Sequence, residues 1–228
     1  MKTAILQSNY IPWKGYFHLI DSVDTFVLYD SVQFTKNDWR NRNKIIINGS
    51  ANWITIPVQH LSLSQTIRDT KVAQPNWATK HWRTIQQSYS KAPFFKEFGQ
   101  TIEATYLKLE KQTHLGKINL TLIRLICEIL EIKTKIVTDE EFDLPEDRLE
   151  RLITICEETG ASTYFSGPAA RDYIDEDRFQ DSGIEVEWMD YTGYPEYRQL
   201  SADFDHYVSI LDLLFCYGPN FKKYIGSN

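Results

Sequence analysis

The sequence predicts an α/β fold with a mostly parallel sheet, and three patterns predict it. Short apolar, β-branched and aromatic runs near both ends alternate with stretches whose apolar residues recur every three or four positions, the mark of strands alternating with helices. The first thirty residues hold a strand, a helix and a second strand, which fits a βαβ unit. From about 76 to 132 the spacing is helical throughout, so a helical insertion or lobe interrupts the alternation.

Each element follows from its own residues. "TAIL" (3–6) is a buried strand feeding a polar loop, and "PWKGYFHLIDSV" places Trp13, Phe17, Ile20 and Val23 at helical spacing behind Pro12, a residue suited to a first turn. "TFVLYD" (25–30) is the second strand and ends in an acid. "NKIIINGSANWITIPV" (43–58) holds two β-rich runs around Asn48-Gly49-Ser50, a strong hairpin signal. "QHLSLSQTIRDT" (59–70) has little pattern and reads as loop. Three helical stretches then follow, with Pro93 and Gly116 near helix starts. "KTKIVT" (133–138) returns to a strand, and "LPEDRLERLITICEETGA" (144–161) is a helix closed by Gly160. "STYFSG" is a strand leading into a short helix at "PAARDYID", "GIEVEWMDY" (183–191) is the last strand, and "FDHYVSILDLLFCYG" (204–218) is a terminal amphipathic helix. With no internal repeat and no Pro/Gly/Ser-rich linker, residues 1–228 are expected to form one domain carrying the helical insertion.

Composition narrows the function. A formal charge of −6 argues against a nucleic-acid binder, which needs a broad basic face. The N-terminus lacks an apolar stretch of signal-peptide length, and no window approaches the ~20 apolar residues of a membrane span. Cys127, Cys156 and Cys216 are odd in number and widely spaced, as in a reduced, cytoplasmic protein, and they read as small buried hydrophobes. Five scattered histidines and no Cys-x-x-Cys give no metal-ligand pattern, so no metal is expected. The chain has no Gly-x-Gly-x-x-Gly loop, no phosphate-binding Gly-Lys-Ser/Thr loop and no Gly-x-Ser-x-Gly elbow.

The chemistry concentrates in three segments. "YDSVQFTKNDWRNRNK" (29–44) follows the second strand, where loops of parallel sheets bind ligands. Lys36, Arg40 and Arg42 suit a diphosphate or carboxylate, and Gln33, Asn41 and Asn43 offer donors and acceptors for hydroxyls. A solvated loop whose acids Asp30 and Asp38 pair with its cations is the plain alternative. "LQSNYIPWKGYF" (6–17) presents Gln7, Tyr10 and Trp13 after the first strand, either to a ligand or simply to the sheet. Near the C-terminus, Ser166-Gly167 stands between a strand and a helix, where backbone N–H groups bind anions, and Tyr191, Tyr194, Tyr197 and Gln199 make an aromatic polar loop. His60, in a polar loop after the hairpin, is a candidate general base because histidine titrates near neutral pH.

"ILQSNYIPWKGYFHLI", "DTFVLYDSVQFTKNDWRNRNKI", "STYFSG", "YPEYRQL" and "SILDLLFCYG" together resemble the WbqC-like family of bacterial proteins, over nearly the whole chain. Ser8 stands where the family usually has proline. The family's recurrent residues carry over as Gln7, Tyr10, Trp13, Gly15, Asp30, Gln33, Arg40, Asn41, Arg42, Asn43, Ser166, Gly167, Gln199 and Asp212. The resemblance implies a place in O-antigen and surface-polysaccharide biosynthesis. The concrete activity it implies is transfer of an acyl or aminoacyl group to the amine of a nucleotide-linked amino sugar. No intrinsic cofactor is implied, and the donor would be a coenzyme A or carrier-protein thioester. In that scheme Lys36, Arg40 and Arg42 hold the diphosphate, and Tyr10 or Trp13 stacks on a ring. Gln7, Gln33, Asn41, Asn43, Tyr197 and Gln199 contact the sugar nucleotide. Asp30 or His60 is the base, and Ser166-Gly167 supplies oxyanion donors. Two other classes compete with it: a non-catalytic sugar-nucleotide binding or assembly protein, and an adenylyl-transfer enzyme. The second lacks its expected Gly-His, because Gly15-Tyr16 stands there.

Overall fold

In the computed structural model, which describes residues 1–225, strand β1 (Lys2–Leu6) lies at the middle of the sheet with Thr3, Ala4 and Ile5 buried. Helix α1 (Lys14–Asp21) carries the chain to β2 (Thr25–Leu28), every residue of which is buried. After a long excursion come β5 (Lys135–Thr138), α5 (Arg148–Glu158), β6 (Thr163–Ser166), α6 (Glu176–Asp181) and β7 (Glu185–Trp188). The five strands pair in the order β5–β2–β1–β6–β7, all parallel. Strands covered on both faces need unbroken apolar runs rather than alternation, which is why "TAIL" and "TFVL" read as they do.

The pleat divides each strand between two cores. Ala4, Phe26, Leu28 and Phe165 face one apolar cluster, and Ile5, Val27, Val137 and Tyr164 face the other. The second is closed by α5 and α6. The first takes in α1 and all the elements of the excursion. These are the hairpin β3 (Arg42–Ile47) and β4 (Ser50–Thr55), then α2 (Trp77–Tyr89), α3 (Phe95–Leu109) and α4 (Leu115–Ile129). The hairpin turn has Asn48 at φ 51° and Gly49 at φ 78°, the double left-handed conformation that Asn-Gly favours.

Two expectations shift. The helix expected from 204 begins at Ile210, as α7 (Ile210–Tyr217). Before it, Ser209 N–H donates to the Lys44 carbonyl and holds the chain extended along β3, and the Ser209 hydroxyl accepts from Leu211 N–H to start the helix. The expected helix at "PAARDYID" is a 3₁₀ turn, Pro168–Ala170, and α6 starts later behind the capping carboxylate of Asp175. No helix among the described residues is long and apolar enough to cross a membrane.

Candidate functional site

The strand order reverses between β1 and β6, so the loops leaving β1, β2 and β6 emerge side by side at the carboxyl edge, the usual ligand edge of such sheets. Asp30, two residues past β2, is the buried centre of this edge, with 8% exposure. Its Oδ1 accepts from Ser8 N–H at 2.9 Å, and its carbonyl accepts from Arg68 N–H at 2.9 Å. Its Oδ2 lies against the second residue of α4: a Cβ on Gly116 would stand 2.7 Å away. Burial pushes the Asp30 carboxyl above its ordinary range, and the nearby Asp139 adds to the push. Ser8 and Arg40 pull the other way.

Asp30 opens on a cavity of about 650 Å³ between the ends of β2 and β5 and the start of α4. Arg68, His114, Gly116, Lys117, Arg124 and Asp139 share the wall with it. Asp139, itself buried, accepts from Ser31 N–H at 2.8 Å and from the Arg68 guanidinium at 2.7 Å, and so fixes the peptide after Asp30. Arg68 Nε also lies 3.1 Å from Glu140. Apart from Asp30, sequence patterns pointed to none of these residues. With Asp30 they come from four separate segments, and only docking of α4 on the sheet edge brings them together.

A second group surrounds the β1 loop. Arg40 is largely buried; its guanidinium donates to Asn9 Oδ1 and sits 3.6 Å from Asp38. Its Nε is buried without a partner. Asn119 of α4 donates to Ser8 Oγ at 3.0 Å and to the Arg40 carbonyl at 2.9 Å, so α4 braces this loop as well. The Gln7 carbonyl accepts from the Tyr16 hydroxyl at 3.0 Å, and Asp30, Arg40 and Tyr191 all bear electrostatically on that hydroxyl. Tyr191 lies over Gly167, its hydroxyl 3.6 Å from where a Cβ would stand, and its ring is 5.2 Å from Trp13.

The other residues singled out in the sequence lie elsewhere or face inward. Tyr10 is fully buried, its hydroxyl bonded to His81 Nδ1 at 2.8 Å and Tyr106 at 2.7 Å. Asn43 donates to the Tyr10 and Ile11 carbonyls at 3.1 and 2.9 Å, and Asn41 to the Ile56 carbonyl at 2.8 Å. Arg42 turns onto the Trp53 ring and Asn37, while Gln33 and Lys36 are exposed. His60 sits beside Phe34, ring centroids 6.2 Å apart, and does not line the Asp30 cavity. The Ser166 hydroxyl donates to Tyr164 at 3.2 Å, and Gly167 leads into the short 3₁₀ turn rather than a full helix. Gln199 binds the Tyr197 hydroxyl and the backbone of Asp205.

Asp212 is fully buried in α7 with both oxygens unpartnered. Burial pushes it up to about 6 against the pull of Tyr197, Tyr89 and Gln199, which face it without closing a hydrogen bond of good geometry. Burial also pushes all three thiols up to about 12, which leaves them as poor nucleophiles.

Among known proteins, the uncharacterized protein Rv1507c of Mycobacterium tuberculosis (strain ATCC 25618 / H37Rv) is 44% identical over 225 residues, covering 98% of this chain and 97% of the relative. No solved structure matches the chain. The model of the WbqC-like protein family matches residues 7–224, and the chain belongs to that family.

Proposed function

We propose that the protein is a group-transfer enzyme that moves an acyl or aminoacyl group onto the amine of a nucleotide-linked amino sugar, within bacterial surface-polysaccharide biosynthesis. The observation that carries the proposal is Asp30: a buried carboxylate with raised proton affinity, at the carboxyl edge of a parallel sheet, opening on a cavity large enough for a small molecule. Such a group suits an amine acceptor. Its charge attracts the ammonium form, and its raised proton affinity makes it a better base than an ordinary carboxylate. In the reaction, the bound ammonium first gives one proton to solvent. Asp30 then takes a second proton from the resulting amine while the nitrogen attacks the acyl carbonyl of an activated donor such as a thioester. The C–N bond forms, the carbon–sulfur bond breaks, and the proton leaves with the thiolate as thiol. Ser8 N–H holds Oδ1, which leaves Oδ2 as the oxygen beside the cavity's α4 wall.

Calorimetric titration with UDP- and dTDP-amino sugars, followed by mass spectrometry of products formed with an acyl thioester, tests this assignment. Asp30→Asn is expected to keep sugar-nucleotide binding and lower turnover by roughly 10²–10⁴-fold, the usual worth of a positioned base. Turnover that survives the substitution would remove Asp30 from the chemistry. Absence of binding at millimolar ligand would remove the sugar nucleotide.

A further inference from the structure

Of the three cations lining the Asp30 cavity, Arg68 is neutralised by Asp139 and Glu140 at 2.7 and 3.1 Å. The other two, Lys117 and Arg124, take part in none of the ion pairs among the described residues, although the chain is acidic overall. Both belong to α4 and stand seven residues apart, so they lie on one face of the helix, about 10 Å from each other along its axis. One guanidinium N–H of Arg124 donates to the Ile136 carbonyl at 3.0 Å, which steadies the head group against β5 and leaves its other donors uncommitted.

The cavity also continues past these cations. Leu120, Thr121 and Arg124 are walls common to it and to a groove of about 730 Å³ between α3 and α4. Asp30 meets α4 at Gly116, so the order along the helix is carboxylate, Lys117, Arg124, groove. The negative charges on the cavity wall come from the strand and loop side, at Asp30, Asp69, Asp139, Glu140 and Glu141, while α4 contributes only positive ones.

We propose that the α4 wall, through Lys117 and Arg124, is a diphosphate subsite. Its occupant carries an amine at the Asp30 end and a further organic group running into the α3–α4 groove. This assignment rests on the transferase reading for the identity of the amine. Its phosphate part stands on the unpaired cations alone, and it places the diphosphate on α4 rather than on Lys36, Arg40 and Arg42. Two exposed, unpaired cations on one helix face can converge their long side chains on a single diphosphate, and Arg124 adds the planar fork that phosphate oxygens favour.

Inorganic pyrophosphate is the probe, titrated calorimetrically into the full chain. Wild type is expected to bind it saturably and more weakly as salt rises. The double variant Lys117→Gln/Arg124→Gln is expected to lose at least tenfold in affinity with little change in melting temperature, because both side chains are exposed and only the hydrogen bond from Arg124 to the Ile136 carbonyl is lost. Asp30→Asn should bind pyrophosphate as tightly as wild type or tighter, since a nearby negative charge is removed. No saturable binding by wild type, or equal binding by the double variant, overturns the subsite. The same titrations with UDP-amino sugars separate the two ideas. Pyrophosphate binding without amino-sugar binding sinks the transferase reading and leaves the subsite standing. Amino-sugar binding that is indifferent to the double variant does the reverse.

Discussion

Asp30 and Asp212 are both buried carboxylates, but their surroundings separate their roles. Asp30 accepts a backbone N–H and faces a cavity, whereas Asp212 is enclosed by Tyr89, Tyr197 and Gln199 with no cavity residue beside it. A cavity-facing carboxylate can meet a substrate; an enclosed one acts on stability. The sign follows from linkage. Asp212 titrates at about 6 in the fold against an ordinary 3.8, so the fold prefers the protonated acid. That preference contributes full stability below about pH 4, the unfolded value, and is lost as pH rises through the folded value near 6. At neutral pH the ionised group therefore strains the fold by something on the order of 2–3 kcal/mol, at 1.36 kcal/mol per pKa unit. Asp212→Asn is expected to stabilise the protein at pH 8 and to change it little at pH 4. Urea midpoints at the two values check this, and a variant less stable than wild type at pH 8 would show that the ionised carboxylate is paired in solution.

The hairpin and the β1–α1 loop are locked together, and this joint shapes the edge on which Arg40 sits. Ile11 has a φ of 38°, a strained conformation for a β-branched residue. Asn43 holds it there by donating to both the Tyr10 and the Ile11 carbonyls, while its own Oδ1 accepts from Lys44 N–H. Asn43→Ala removes those bonds inside the core, so a loss of about 2–4 kcal/mol is expected from the two buried carbonyls left unsatisfied, offset in part by any strain that Ile11 releases on relaxing. Chemical denaturation measures it, and a loss below about 1 kcal/mol would mean that the loop keeps its shape unaided. At this scale much was legible beforehand. The apolar runs at 3–6 and 25–30 and the Asn48-Gly49 turn dictate their elements locally, and each element appears there, with the second strand ending at Leu28. The asparagines of "RNRNK" did not announce which way they point. Strand alternation sends Asn41 and Asn43 inward and Arg42 outward, and that register is settled by the docking of β3. The sequence does not single out Lys117 and Arg124 for the same reason: nothing in their spacing says that a strand end will face them.

The whole molecule makes its cavity out of two parts far apart in sequence. The sheet supplies Asp30 and Asp139, and the helical insertion supplies Gly116, Lys117 and Arg124. A single apolar cluster joins them, running from Ala4 and Phe26 through Trp77, Ile85, Ile118 and Ile123. Asn119 crosses the joint, tying α4 to Ser8 and to the Arg40 carbonyl while its Oδ1 stays unpartnered. Elements that share one core this fully unfold as one cooperative unit, since neither part can expose its half without exposing the other's. Native-state hydrogen exchange is therefore expected to give the slowest amides of α2–α4 and of β1 and β2 the same free energy of opening. Asn119→Ala should lower both by the same amount, about 1–3 kcal/mol for a buried hydrogen-bonding side chain lost at the joint. If α2–α4 instead open at a clearly lower free energy than the sheet, the insertion is a separate lobe. Asp30 would then meet Lys117 and Arg124 only when that lobe is closed, and the affinity for pyrophosphate would carry the cost of closing it.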